Sequence, residues 1–281
     1  MSALARTLVS AYCRLGPIAK GKSHVRKLGL SILGGGRVEA HSRHAPLRFD
    51  LTLPEDSPWA PVLFDGTFET GTLKAIKKIL PRDGVTLDIG ANLGWYAMHM
   101  AFWSGECHAF EPVPLIFSKL RKNCELNGLG KIQLNNLALS NHAGVATMHT
   151  FPGEPDGHSS MSDLGHKNFQ SCAVRTITLD SYVAGRRISR VDLVKLDVEG
   201  AEMLVLRGAS AFLASSRTTW VIEINTRTSR AFGYKPASLL EFLLRFRKYE
   251  FHRVVGGWGK VRLMRSPNDY EHGDNVICIP I

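Results

Sequence analysis

The segment Thr86-Leu-Asp-Ile-Gly-Ala-Asn-Leu-Gly-Trp95 limits what this chain can fold into more than any other. Residues 85–89 read as an apolar strand, the chain turns between Gly90 and Gly94, and a helical pattern follows over 95–103. A strand that enters a helix through a glycine turn opens a βαβ unit, and such units bind ligands outside the carboxyl ends of their strands. A pyrophosphate-binding turn has the form G-x-G-x-x-G, whereas here the spacing is Gly90-x-x-x-Gly94 with Asp88 two residues before the first glycine. The carboxylate of Asp88 opposes a pyrophosphate but suits an ammonium group.

The rest of the chain repeats the alternation. Strand-like runs at 107–110, 132–134, 145–151, 173–179, 191–196, 219–224, 250–255 and 276–279 are interleaved with helical patterns at 72–80, 115–127, 201–213 and 236–246. The pattern predicts an α/β fold with a mostly parallel, twisted sheet and helices on both faces. Ahead of it, residues 1–35 read as a basic, weakly amphipathic helical segment ended by Gly34-Gly35-Gly36, with short strands at 37–40 and 47–53. A turn marked by Pro54, Pro58 and Pro61 follows, so the expected division is an N-terminal extension at 1–53 and a catalytic domain at 54–281.

Charge divides along the same line. The 281-residue chain carries a formal charge of +10, yet residues 1–50 hold nine cations against two acids and the remainder 26 against 23. The basic surplus is therefore an N-terminal property and does not identify a nucleic-acid partner for the whole chain. The five cysteines contain no C-x-x-C pair, which fits reduced thiols better than a disulfide framework or a zinc site. No run reaches the roughly 18 apolar residues of a membrane span.

A second acid stands at the end of the next strand, in Ala109-Phe-Glu-Pro112. Glu111 there can accept both hydroxyls of a ribose, which points to an adenosine-containing cofactor; the alternative is that each acid caps a helix. Asp88, Gly90, Asn92, Gly94 and Glu111 are thus the candidate cofactor-binding residues of this part of the chain.

Asp88-Ile-Gly-Ala-Asn-Leu-Gly-Trp-Tyr96, Phe110-Glu-Pro112, Thr178-Leu-Asp-Ser-Tyr182, Val191-Asp-Leu-Val-Lys-Leu-Asp-Val-Glu-Gly-Ala-Glu202 and Val221-Ile-Glu-Ile-Asn225 together resemble the FkbM-type methyltransferases. The resemblance runs in unbroken order over about residues 64–225. It implies a Rossmann-like class I methyltransferase fold, S-adenosyl-L-methionine as methyl donor, and O-methylation of a hydroxyl on a sugar, glycan or secondary metabolite.

Methyl transfer to a hydroxyl needs alignment of nucleophile, methyl and sulfur, and removal of the hydroxyl proton. Asp197, at the end of an apolar strand beside the expected cleft, is the first candidate for the base. Lys195 lies on the same strand face as Asp197 and is expected to pair with it. Glu199 and His158, the latter in a polar loop, are further catalytic candidates, with capping of the following helix as the alternative for Glu199. Asn136 and Ala138 are candidate adenine contacts, and Glu69 a candidate for the methionine end of the cofactor. Asp197, Glu223 and Asn225 come from adjacent strand ends and form an oxygen set suited to Mg²⁺.

Two rivals remain at this stage. One is ribose or RNA methylation, although the chain lacks the Asn/Asp-Pro-Pro-aromatic loop of base-amino methyltransferases. The other is a cofactor-binding module without chemistry. A small-molecule or glycan acceptor and a cytoplasmic location are expected, with residues 1–35 either solvated or resting on an anionic membrane surface.

Overall fold

The computed structural model describes residues 36–53, 59–151, 159–162, 168–271 and 273–281, with isolated positions between 7 and 31. Apart from those positions, the basic segment expected over 1–35 lies outside the described residues, and with it the membrane contact expected there. The described chain begins with the hairpin β1 (Gly36–His41) and β2 (Arg48–Leu53), then α1 (Ala60–Asp65) and α2 (Thr70–Ile79). The alternating portion follows as β3 (Val85–Ile89), α3 (Trp95–Trp103), β4 (Glu106–Phe110), α4 (Pro114–Leu126) and β5 (Ile132–Asn135). Four short strands come next: β6 (Ala138–Leu139), β7 (Gly144–Thr150), β8 (Ser159–Ser160) and β9 (Gln170–Ile177). The chain then runs α5 (Leu179–Arg186), β10 (Leu193–Leu196), α6 (Glu202–Arg207), α7 (Ser210–Ser215), β11 (Thr219–Ile224) and α8 (Thr226–Ala231). It closes with α9 (Ala237–Leu244), β12 (Tyr249–Val255), β13 (Lys260–Leu263) and β14 (Asp274–Pro280).

The principal sheet has the order β13-β12-β14-β11-β10-β3-β4-β5. The five strands from β11 to β5 are mutually parallel, and β14 is antiparallel to both β11 and β12. Chain direction across the sheet reverses between β3 and β10, the switch point at which doubly wound sheets open a crevice. Period-2 alternation explains the two cores: Leu87, Ile89, Val194 and Leu196 face one helical layer, while Leu193 and Val221 face the other. Lys195, two residues beyond Leu193, is fully buried on that second face. Strand β7 is antiparallel to β8 and β9 in a separate four-stranded sheet.

The β1–β2 hairpin joins the core of the large sheet's helices, since Phe49 and Leu51 are buried in one cluster with Trp95 and Met98. Asn123 on α4 and Asn127 at its C-cap, one helical turn apart, satisfy the hairpin's outer strand: Asn123 Oδ1 accepts from Asp50 N (2.7 Å) and Asn127 Oδ1 from Arg48 N (2.8 Å).

Two expectations change. The single helix expected over 201–213 is broken into α6 and α7 at Gly208, where a side chain would come within 2.0 Å of the Ser140 carbonyl oxygen, an approach only glycine permits. The first turn of α7 is then capped from outside by Asp180, which accepts from Ala211 N and Phe212 N. Helix α5 replaces the end of the strand expected to reach residue 179; Thr178 Oγ1 accepts from Ser181 N as its N-cap.

Candidate active site

At the switch point, the turn after β3 and the end of β10 meet. Gly90 has φ 90°, and a Cβ there would stand 1.8 Å from the Asp197 carbonyl oxygen, so the turn closes onto β10 only with glycine. Asp197 N donates to Ile89 O (3.0 Å), tying the two strand ends together. Around this junction lies a cavity of about 190 Å³. Its polar groups are Glu69, Asn92, Glu111, Ser159, Asp197, Glu199 and Glu223.

One end of the cavity belongs to Glu111. The Glu111 Oε2 accepts from Asn92 N (3.1 Å) and Oε1 from Val113 N (2.9 Å), so the carboxyl stands fixed at the end of β4 with lone pairs to spare. Asn92 sits in the left-handed region at φ 50°, a conformation asparagine tolerates better than most side chains. Burial pushes Glu111 up to about 7, against the two backbone donors. Beside it, Phe110, Leu137, Ala138 and Leu139 form an apolar slot.

The other end is organised around Lys195. Its Nζ lies 3.1 Å from Asp197 Oδ2 and 5.1 Å from the centre of the Tyr96 ring. Although burial works against its charge, the carboxyls of Asp197, Glu69 and Glu223 hold Lys195 above its ordinary range. Glu69 takes a hydrogen bond from the Tyr96 hydroxyl and another from Asn275 Nδ2. Burial and the neighbouring Asp197 raise Glu223 well above the ordinary carboxylate range. Glu199, at φ 51°, is raised to about 8, first by burial and then by Asp197 and Glu202. A non-glycine residue held in the left-handed region beside a cavity is strain of the kind found at functional sites. Ser160 Oγ anchors this turn by donating to Glu199 O (2.9 Å).

Several expected site residues stand elsewhere. Asp88 is buried behind the turn, where it accepts from Ala97 N at the start of α3 and does not line the cavity. Burial raises it to about 7. Gly94, at φ 94°, starts α3 and leaves room for Leu120, also without lining the cavity. Asn136 donates through Nδ2 to Glu111 O and Pro112 O, which holds the loop after β4. Glu202, not Glu199, caps the turn after β10, accepting from Val198 N and Gly200 N. His158 lies outside the described residues.

The Mg²⁺ set does not fit. Asn225 Oδ1 accepts from Arg227 N and Thr228 N as the N-cap of α8, and the Lys195 ammonium already stands among Asp197, Glu69 and Glu223. Among the described residues no group of three or more His, Cys, Asp and Glu is arranged to hold a metal ion.

Sequence reasoning missed Tyr96 and the aromatic wall of Trp59, Phe68 and Trp95. The Trp59 and Phe68 rings stand 4.7 Å apart and all three line the cavity. Trp59 lies beyond a proline-marked stretch that carries no periodic signal, whereas Tyr96 follows the glycine turn directly.

A parallel sheet of this strand order, with a glycine turn and an acidic strand end at its switch point, defines a Rossmann-like, cofactor-binding α/β fold. Residues 88–252 match the Methyltransferase FkbM domain. The chain belongs to the FkbM methyltransferase family. It is 29% identical over 148 residues to Methyltransferase 1 of Beauveria bassiana, covering 46% of this chain and 59% of that protein. It is 28% identical over 147 residues to the hexuronic acid methyltransferase AglP of Haloferax volcanii, covering 52% of this chain and 59% of that one. The match thus spans under two thirds of either relative's length. Among solved structures, the methyltransferase FkbM of Methylobacillus flagellatus aligns with a TM-score of 0.47 at 13% identity, covering 99% of this chain and 58% of that one.

Proposed function

We propose that the protein transfers a methyl group from S-adenosyl-L-methionine to a hydroxyl of a small molecule or glycan. The observation that carries this reading is one cavity with two unlike ends: a fixed carboxyl beside an apolar slot at Glu111, and a carboxyl cluster neutralised by Lys195. The first end suits an adenosine. Glu111 accepts the ribose hydroxyls, and the slot at Phe110 and Leu137–Leu139 takes the base. When bound, the cofactor supplies a sulfonium-activated methyl. Asp197 then receives the proton of the acceptor hydroxyl, while Lys195 holds its carboxyl in place. Glu69 and Glu223 face the same end and keep the acceptor between them.

The hexuronic acid methyltransferase among the relatives supports a sugar as acceptor. So does a cavity whose charged lining is carboxylic, which disfavours a polyanionic RNA acceptor. Among the described residues no helix is long and apolar enough to cross a membrane.

Incubation of the purified chain with labelled S-adenosylmethionine and a panel of free sugars, glycolipids and polyketides is expected to label a hydroxyl-bearing member, equally with and without EDTA. Labelling of RNA alone would overturn the acceptor assignment.

Glu111 also sets a pH dependence. Its folded-state value lies above the ordinary one, so between the two it holds a proton that ribose binding displaces, and cofactor affinity rises with pH through about 7. S-adenosylhomocysteine is expected to bind about tenfold more weakly near pH 6 than near pH 8 in wild type, and Glu111→Gln is expected to flatten that dependence. Calorimetry at the two pH values checks this, and a pH-independent wild-type Kd would contradict it.

A further inference from the structure

Beyond Glu69 lies a second cavity, of about 290 Å³, between the start of α2 and the ends of β12 and β14. Gly256, Gly257 and Gly273 contribute to its walls, and Glu69 and Asn275 supply its carboxyl and amide groups. Glu69 also lines the cavity at the switch point, so the two spaces meet at one carboxyl.

Asn275 is the informative residue. It stands on β14 in register with Glu223 on β11, and only 7% of it is exposed. Its Nδ2 donates to Glu69 Oε2 (3.4 Å). Its Oδ1 is buried and without a hydrogen-bond partner. A buried carbonyl left unpaired costs stability, and native proteins rarely retain one without a use. An acceptor oxygen in this position calls for a donor. Among the described residues no lysine, arginine or histidine lines the groove, so it has nothing to offer a phosphate or carboxylate ligand.

We propose that this groove seats the non-reacting part of a neutral, polyhydroxylated ring, and that Asn275 Oδ1 recognises one of its hydroxyls. The inference rests on the methyl-transfer reading and adds where the acceptor lies and what selects it. The ring reaches past Glu69 to place a neighbouring hydroxyl before Asp197. Asn275 is therefore a specificity residue, not a catalytic one. The bare glycine backbone leaves the width that a ring requires.

Binding of methyl β-glucopyranoside to the chain saturated with S-adenosylhomocysteine tests the assignment by ligand-observed NMR titration. The wild-type chain is expected to bind the glycoside, and Asn275→Leu and Asn275→Ala to bind it about three- to tenfold more weakly, with S-adenosylhomocysteine affinity unchanged. Asn275→Leu removes the unpaired carbonyl together with the bond to Glu69, so its thermal stability is expected to stay near that of wild type, which separates a loss of glycoside binding from a loss of fold. Equal glycoside affinity in wild type and both variants, or no glycoside binding by the saturated wild-type chain, overturns the groove assignment alone. Failure of the wild-type chain to bind S-adenosylhomocysteine overturns the methyl-transfer reading, and the groove with it.

Discussion

Asp197→Asn is expected to lower turnover by about 10²- to 10⁴-fold while S-adenosylhomocysteine still binds. The substitution keeps shape and volume but replaces the basic carboxylate that receives the acceptor's proton with a non-basic amide. The backbone bond from Asp197 N to Ile89 O is untouched, so the junction between β3 and β10 persists. Lys195 keeps Glu69 and Glu223 as counter-charges, which limits the structural cost. Single-turnover methyl transfer with saturating cofactor, set beside a calorimetric Kd, separates chemistry from binding. Turnover equal to wild type would remove Asp197 from the proton transfer.

Lys195→Met is expected to damage the fold as well as the chemistry. The ammonium is fully buried, and its removal leaves Asp197, Glu69 and Glu223 without their shared cation. Breaking a buried ion pair by removing one partner costs about 3–5 kcal/mol, and the lower end applies here because Asp197 is 26% exposed. The sign with pH follows from the carboxyls left behind. In the variant the folded-state values of Glu69 and Glu223, already above the unfolded ones, rise further, so the folded state holds extra protons at low pH and loses that stabilisation as pH rises. The difference between variant and wild type is therefore expected to be small near about pH 5 and large near about pH 8. Urea unfolding at the two values checks it, and a difference independent of pH would show that Lys195 acts through packing alone.

The parts of this structure that were legible in the sequence are those governed by local periodicity. The strands of the parallel sheet announce themselves as short apolar runs because they are buried on both faces, and the glycine turn after Ile89 marks the cofactor end of the first βαβ unit. Glu111 and Asp197 were legible for the same reason: each directly follows an apolar strand. What stayed hidden depends on contacts between distant segments. Nothing near Asn225 distinguishes a metal ligand from a helix cap until α8 is seen to start there. Asp88 carries the right chemistry for a ligand, but the helix that follows it turns its carboxyl to Ala97 N. Gly208 looked like a tolerable residue within a helix because its partner, the Ser140 carbonyl, lies on a remote segment. The Trp59–Phe68 wall and Asn275 come from segments outside the glycine turn, and Asn275 reaches its place only once β14 lies beside β11.

We propose that the cavity at the β3–β10 junction holds an adenosine-containing methyl donor by the carboxyl of Glu111. Calorimetric titration of the purified chain with S-adenosylhomocysteine, in wild type and Glu111→Ala, tests it most directly. A single-site isotherm that weakens by about tenfold or more in the variant is the expected result, since the variant loses hydrogen bonds to a charged acceptor. A flat titration in wild type, or the same affinity in both proteins, would contradict it.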